Sequence, residues 1–410
     1  GTGDSSGALL PDPLIDGIIY ILLRSLAIAS TLGCGPLPVV INLSYGFIAG
    51  PHDGTQFIER TIDQIGDLWS AAIGAPLRIV IASGNSHLAR VHAKVDLQTV
   101  SLPQTLPWRV LPDDQTPSFL EIWLPYKTPP FPSRVNLTIL PPGGPQSPAL
   151  DEIDGKIVKW MPNGVELCRA SYHFVPASQR GMFLVILKPT ATLDPTVAIA
   201  PSGTWRIELH NVSLTSPDVI HAWIQRDDTP YGYPTRGRQS FFDDPKYKRF
   251  DEGGREIEED GPGCIITRAG SMNAMATGER PIVIGGCLRK EGRPAKYSAG
   301  GPITPKNGST MPYRRGPDAM AVSDDSVAHA GVLGAGTRSG SVVAMSGTSV
   351  AAPMVTRWIA EQLAAGWLGN SGAVQGLANA YETAILPLPP PPKPSPERGG
   401  AGRIRPPPQY

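Results

Sequence analysis

Residues 345–353 have the residue types and the spacing expected around a catalytic serine. They read Met-Ser-Gly-Thr-Ser-Val-Ala-Ala-Pro, and an apolar, helix-forming stretch over 350–365 follows at once. This order predicts a tight Gly-Thr turn that delivers Ser349 into the first turn of a helix. Backbone N–H groups in a first helical turn lack intrahelical partners and favour negative charge. A serine that attacks a carbonyl there has donors close to the developing oxyanion, so the run predicts nucleophilic catalysis by Ser349.

Two upstream runs end in residues that could complete such a site. Residues 38–46 and 77–85 are rich in β-branched side chains, which is typical of buried strands. The first run ends in Ser-Tyr-Gly and the second in Ala-Ser-Gly-Asn. Polar and glycine residues at strand ends favour loops that hold functional groups.

These runs resemble the subtilisin-like serine protease family. Gly347, Thr348, Ser349, Ala351 and Pro353 match the Gly-Thr-Ser-x-Ala-x-Pro turn of that family. Shorter resemblances lie at 282–286, 297–302 and 316–318, so the resemblance covers roughly 1–94 and 262–368. It implies an α/β fold, with a subtilisin-like parallel sheet flanked by helices.

The resemblance also implies a role for each candidate site residue. Ser349 would form the acyl-enzyme, and the side-chain amide of Asn85 would donate to the oxyanion. A peptide or protein substrate would lie along one short segment and fill side-chain pockets lined by a second. The substrate-binding residues are then Ser44, Tyr45, Gly46, Ala82, Ser83 and Gly84.

The chain does not contain the base that this chemistry needs in the position where the family has it. The family carries an aspartate and a His-Gly-Thr histidine upstream of the substrate strand, but the first histidine here, His52, already follows residues 44–46. We interpret His52 as a surface-loop residue, with Asp53 at the start of the next helix, and His87 and His92 as solvated loop residues. The aspartate and histidine are expected from upstream sequence or from a separate catalytic fragment. The 410 residues alone are therefore expected not to hydrolyse peptides at a normal rate, and the alternative is a non-catalytic peptide-binding pseudoprotease.

The charge balance and one apolar stretch of the chain limit the classes of partner that we expect it to bind. Lysine plus arginine equals aspartate plus glutamate at 36 each, so no charge excess favours nucleic acid or acidic membranes. The apolar stretch 14–29 contains Asp16 and Arg24, which favours a buried core helix over a membrane span. The compartment stays open.

No cofactor or metal is predicted. The four cysteines show no C-x-x-C spacing, which argues against zinc. Free thiols are expected, with a Cys264–Cys287 disulfide as the alternative. The acidic run 251–260 is interpreted as a solvated loop, and structural calcium is the alternative there.

The spacing along the chain predicts an insertion. Asn85 and Ser349 lie 264 positions apart, and short β-type runs between prolines recur from about 95 to 235. Such runs predict an antiparallel, jelly-roll-like sandwich. The expected organisation is a first catalytic part over 1–94, the inserted β-rich domain over 95–238, a second catalytic part over 239–385, and a proline-rich, extended or disordered tail over 386–410.

Overall fold

A computed structural model describes residues 11–97, 102–128, 133–214, 219–227, 236–306, 308–384 and 393–404. Within these ranges the chain forms five α-helices and seventeen strands. The helices are α1 (Pro11–Thr31), α2 (Phe57–Ile73), α3 (Thr348–Ala364), α4 (Ser371–Ala384) and α5 (Pro396–Gly399). The first nine strands are β1 (Val39–Leu43), β2 (Leu77–Ala82), β3 (His92–Asp96), β4 (Gln104–Val110), β5 (Ser118–Trp123), β6 (Val135–Leu140), β7 (Leu150–Asp151), β8 (Ile157–Trp160) and β9 (Cys168–Val175). The others are β10 (Arg180–Leu187), β11 (Gly203–Asn211), β12 (Val219–Ile224), β13 (Phe241–Phe242), β14 (Ile282–Leu288), β15 (Ala319–Asp324), β16 (Val332–Ala335) and β17 (Val342–Met345).

Antiparallel sheets dominate the described chain. They contain 13 of the 17 strands, and helix accounts for 22% of the structure. As a fold class, the predicted α/β arrangement of a subtilisin-like parallel sheet flanked by helices is therefore wrong. The chain between β2 and β14 accounts for this difference. It forms eleven short strands, and most of the connections between them are too short for a parallel crossover, so the strands pair antiparallel.

A small parallel sheet positions the candidate site. Its strands run in the order β1-β2-β14-β15, and every neighbouring pair is parallel. Side chains of α1 and α2 pack on one face of this sheet, where Ile41, Ile81 and Val283 are buried. Side chains of α3 and α4 pack on the other face, against Ile282 and Ile284. Loops at the carboxyl ends of these strands come close together, as expected for parallel strands.

Two antiparallel sheets pack against each other over a shared core. One has six strands in the order β3-β12-β5-β10-β9-β8, and the other has five in the order β13-β4-β11-β6-β7. Leu120 and Phe183 from the first sheet and Trp108 and Ile207 from the second belong to one buried cluster. Along β10 the burial alternates with period two, which is the pattern of a strand with one face in a core.

A buried aromatic stack joins the parallel sheet to the six-stranded sheet. His52, from the loop after β1, stacks on Trp223 of β12 with ring centroids 4.2 Å apart, and His92 stacks on the same indole at 4.6 Å. The interpretation of His52 and His92 as solvated loop residues is thus wrong, since both are buried. Burial lowers the pKa of both imidazoles to about 3 and that of His221 well below its usual range, so all three are neutral near pH 7.

The expectation of a buried core helix holds for one face of α1. Ile18 and Leu22 belong to the core beside the parallel sheet, whereas Tyr20, Leu23 and Ile28 are exposed. By length and composition α1 is the one described helix that could cross a membrane.

Part of the proline-rich tail is folded. Residues 393–404 include α5, and Ile404 is buried in the core formed by α3 and α4. Arg403 forms a bidentate ion pair with Glu382 of α4 at 2.6 and 2.7 Å. The expectation of an extended or disordered tail does not hold for this segment, while 385–392 and 405–410 lie outside the described residues. All four cysteines are free, so the alternative of a Cys264–Cys287 disulfide is not realised.

Glu59 gives a prediction for the pH dependence of stability. It is fully buried in α2 beside Thr277, and burial raises the pKa of its carboxyl to about 8. The folded state therefore holds a proton that the unfolded state releases above about pH 4.5, so stability falls as the pH rises from about 4.5 to 8, by about 1.4 kcal/mol per pH unit at most. Glu59→Gln cannot ionise, and we expect it to remove this loss.

Urea unfolding at pH 5 and pH 8.5 tests the prediction. The free energy of unfolding of the variant should gain several kcal/mol on the wild type between these two pH values. The control is Glu361→Gln, at an exposed carboxylate of α3. If the free energies of unfolding of Glu59→Gln and the wild type differed by the same amount at both pH values, Glu59 would be ionised in the folded protein.

Candidate active site

The turn before α3 presents Ser349 at the helix N-terminus. Gly347 precedes the helix with φ of +129°, a conformation that a residue with a side chain rarely adopts. Its N–H lies 3.0 Å from the Tyr297 hydroxyl and 3.1 Å from the Ser323 carbonyl. Burial raises the pKa of the Tyr297 phenol, so this group stays protonated. These contacts to the Gly347 N–H fix the turn. Ser349 is the second residue of α3 and lies in the first helical turn, as the sequence predicts.

Pro353 gives the loop after β1 a place to bind α3. Proline has no N–H, so the carbonyl of Ser349, four residues earlier, lacks its helical donor. The hydroxyl of Ser44 donates to this carbonyl at 3.0 Å, and the Ser349 hydroxyl donates to the Ser44 carbonyl at 3.1 Å. These two bonds hold the candidate nucleophile against the candidate substrate segment.

Asn85 has a fixed side-chain orientation. Its Oδ1 accepts hydrogen bonds from the N–H and the hydroxyl of Thr348, at 2.9 and 3.0 Å. With the amide oxygen engaged, the Nδ2 group is the end that can donate to a bound molecule. Asn85 is exposed and lines the same cavity as Ser349, which is the arrangement that an oxyanion donor requires.

The predicted substrate-binding residues divide into two groups. Five of them line one cavity of about 320 Å³ together with Ser349 and Asn85. Ser83 does not, because its side chain is fully buried and its N–H donates to the Ile284 carbonyl at 2.9 Å. The cavity-lining members of the predicted set are Ser44, Tyr45, Gly46, Ala82 and Gly84.

Asn273 forms the floor beneath the candidate substrate segment, and sequence reasoning missed it. Its Nδ2 donates to the Tyr45 carbonyl at 3.0 Å, and a side chain at Gly46 would collide with it. Its Oδ1 accepts from the N–H of Met275 and so caps a short 3-10 turn. An asparagine directly before the helix-forming run Ala-Met-Ala was the available signal.

The six-stranded sheet supplies one wall of the cavity. Gln225, directly after β12, accepts hydrogen bonds through Oε1 from the N–H groups of Ile48 and Ala49 at 2.9 and 3.2 Å. This attachment brings Arg226 and Gln239 to the cavity beside residues from the parallel sheet. Their place in the site could not be read from the sequence, because it depends on how the two sheets pack.

A general base is not found in the cavity among the described residues. None of the described residues that line it is a histidine, aspartate or glutamate. His87 is buried against Arg398, and burial lowers its pKa to about 2. His329 pairs with Asp324 at 2.8 Å and lies beside the ring of Tyr297, but it does not line the cavity.

The backbone conformation of Gly347 gives a testable prediction. We expect Gly347→Ala to lower the free energy of unfolding by about 1–3 kcal/mol, since a Cβ at this φ is strained and would lie 3.1 Å from Asn85 Nδ2. Gly334→Ala is the control, because nothing lies within 4 Å of its Cβ position. Equal unfolding free energies of the two variants in urea would contradict the strain at Gly347.

The fold of this chain is similar to that of a protein of known structure. No protein-family model matches the chain, and neither does any curated protein. Among solved structures the chain is similar to the CspB protease of Clostridium perfringens, with 16% identity and a TM-score of 0.64. The match covers 97% of this chain and 70% of that one. At this identity the likeness concerns the fold alone.

Proposed function

We propose that this chain carries the nucleophile and oxyanion site of a subtilisin-like serine endopeptidase. The observation that supports the proposal most is that Ser349, the exposed amide of Asn85 and residues 44–46 line one cavity at a helix N-terminus. The structural neighbour is a protease, and this supports the coarser part of the proposal, namely that the reaction is a hydrolysis.

The chemistry would be acyl transfer. A peptide would extend beside residues 44–46 and bring its scissile carbonyl to Ser349. The Oγ would attack the carbonyl carbon, and the oxyanion would accept from the Ser349 N–H and from Asn85 Nδ2. The proton on Oγ, which now points at the Ser44 carbonyl, would pass to a histidine held by an aspartate. We expect a further segment or polypeptide to supply both groups.

A fluorophosphonate probe on the full-length protein tests the proposal. Labelling that depends on Ser349 and is lost in Ser349→Ala would support it. Ser346→Ala is a matched control on the same turn, at an exposed serine that does not line the cavity. A folded full-length protein that takes no label would exclude the endopeptidase.

A non-catalytic peptide-binding protein is the second candidate. One observation favours it, namely that no described residue lining the cavity can accept the serine proton as a side-chain base. This protein would bind peptides in the cavity while Ser349 stayed unlabelled. Peptide binding measured beside probe labelling therefore separates the two candidates.

A further inference from the structure

We propose that Arg398, in the C-terminal segment, is a positioning residue for the candidate oxyanion donor Asn85, on which it acts through His87. The inference rests on the proposed function, because it names a control on the reactivity of that same site. It concerns the segment 393–404, which is described by the structure and lies outside the cavity.

The C-terminal segment lies in a groove that fits its backbone closely. The N–H of Gly301 donates to the Glu397 carbonyl at 2.9 Å, and the N–H of Ala401 donates to the Asp318 carbonyl at 3.0 Å. A Cβ at Gly300 would lie 2.7 Å from the Glu397 carbonyl oxygen, so this approach needs a residue without a side chain. The segment is therefore a packed part of the fold, and its side chains have fixed neighbours.

The guanidinium of Arg398 extends from this segment into the protein. Its side chain is 15% exposed, and it forms an ion pair with Glu258 at 3.2 Å. Nη2 donates to the Ala295 carbonyl at 3.1 Å, and Nη1 donates to His87 Nε2. Burial and the charge of Arg398 lower the pKa of His87 to about 2, which keeps the ring neutral and able to accept this bond.

His87 lies two positions after Asn85, and the chain between them is fixed on its other side. The N–H of His87 donates to the Tyr297 carbonyl at 3.2 Å. The N–H of Ala299 donates to the Gly84 carbonyl at 2.9 Å. These two backbone bonds pair residues 84–87 with residues 297–299, and Arg398 contacts the first of these segments directly and the second just before its start.

Both paired segments reach the nucleophile turn. Asn85 Oδ1 accepts from the Thr348 N–H at 2.9 Å, and the Tyr297 hydroxyl lies 3.0 Å from the Gly347 nitrogen. A reactive geometry is held by the residues that support the reacting groups, and such support passes through packed and hydrogen-bonded contacts. Loss of the Arg398 guanidinium should therefore loosen the contacts of the turn, although Arg398 itself lies outside the cavity.

Hydrogen exchange of single backbone amides in the full chain tests the inference without any substrate. For Arg398→Gln we expect the amides of Thr348 and Gly347 to exchange about tenfold faster than in the wild type, or more. The amide of Ile284, in the buried strand β14, reports unfolding of the parallel sheet, and its exchange should rise less. Arg398→Lys keeps the charge beside Glu258 but replaces the forked donors with one ammonium, so its effect should have the same direction and be smaller.

Arg403→Gln is the matched control, with an equal charge change in the same segment. The side chain of Arg403 contacts Glu382 of α4 and the Gly292 carbonyl. This variant should lose stability in urea but keep the wild-type exchange rate at Thr348. Wild-type exchange at Thr348 in both Arg398 variants would overturn the inference, and so would an equal increase in Arg403→Gln.

Fluorophosphonate labelling of the same preparations separates the inference from the proposed function. Arg398→Gln should slow the labelling of Ser349 by about 10- to 100-fold, because the oxyanion donor is no longer held in place. In the Asn85→Asp background, which lacks that donor, the effect should be smaller by about threefold or more. An equal loss in both backgrounds would overturn the inference. A wild type that takes no label, but whose Thr348 exchange depends on Arg398, would refute the endopeptidase alone.

Discussion

Replacing Asn85 with alanine is expected to slow acylation of Ser349 by about 100- to 1,000-fold, while the KM for a peptide substrate changes little. The reason is that the Nδ2 group would donate to charge that develops only in the transition state, and such a donor contributes about 2.7–4 kcal/mol. The rate of fluorophosphonate labelling of the full-length protein, and its kcat where it turns over, measure the effect. A rise in KM alone would show that Asn85 binds substrate rather than the oxyanion.

The structure provides a control that separates this role from a structural one. Asn85 also holds the first residue of α3, because its Oδ1 accepts two hydrogen bonds from Thr348. Asn85→Asp keeps an acceptor for both and removes the Nδ2 donor. The aspartate variant should stay folded and still label as slowly as the alanine variant. If it labelled at the wild-type rate, the oxyanion assignment would be excluded.

Replacing Trp223 with alanine is expected to lower the free energy of unfolding by about 3–5 kcal/mol. The indole is buried, stacks on His52 and His92, and its Nε1 donates to the Gly270 carbonyl at 3.4 Å. Removal of the indole leaves a cavity where the parallel sheet meets the six-stranded sheet. Because the buried imidazoles of His52 and His92 have a pKa of about 3 in the folded protein, the unfolded chain takes up protons that the folded protein does not, and stability falls as the pH falls below about 6.5. The variant starts from a lower stability, so it should unfold at a higher pH on acidification.

Urea unfolding at pH 7.5 and an acid titration followed by tryptophan fluorescence measure both effects. Trp367→Ala is the matched control because Trp367 is 68% exposed, and its unfolding free energy should be close to that of the wild type. A cost at Trp223 no larger than that at Trp367 would mean that the stack does not hold the sheets together.

Local features of the fold could be predicted from the sequence because local periodicity determines them. Of the short β-type runs predicted between about 95 and 235, residues 119–124 correspond to β5 and residues 182–187 lie within β10. The predicted helix at Ser349 is α3, which begins at Thr348, one residue before the candidate nucleophile. The proportion of antiparallel to parallel sheet in the whole structure was not predictable in the same way. The predicted fold class gave most weight to the motif-bearing runs, whereas the many short strands between them make up most of the sheet structure.

Only those residues of the candidate site that belong to a local sequence motif could be predicted. Residues carried by a local motif, such as Ser349 and Asn85, lie where strand ends meet, and these could be named. The side chain of Ser83 is buried and does not line the cavity, so the predicted role of Ser83 in substrate binding stays a prediction. Asn273, Arg226 and Gln239 approach from distant parts of the chain, so only tertiary packing reveals them. The burial of His52 was missed because its partner, Trp223, lies 171 positions away.

The attachment of Gln225 to the loop after β1 has a consequence for how such a site can diversify. The candidate reacting groups lie at the end of the parallel sheet, whereas Arg226 follows a strand of the six-stranded sheet, and the two are linked by a few hydrogen bonds from backbone N–H groups to Gln225 Oε1. Backbone N–H groups do not depend on side-chain identity, so the side chain at position 226 can be exchanged without loss of this link. If the proposed function holds, peptide preference and the chemistry of Ser349 can therefore change separately, and a library randomised at position 226 should alter peptide binding at an unchanged rate of labelling.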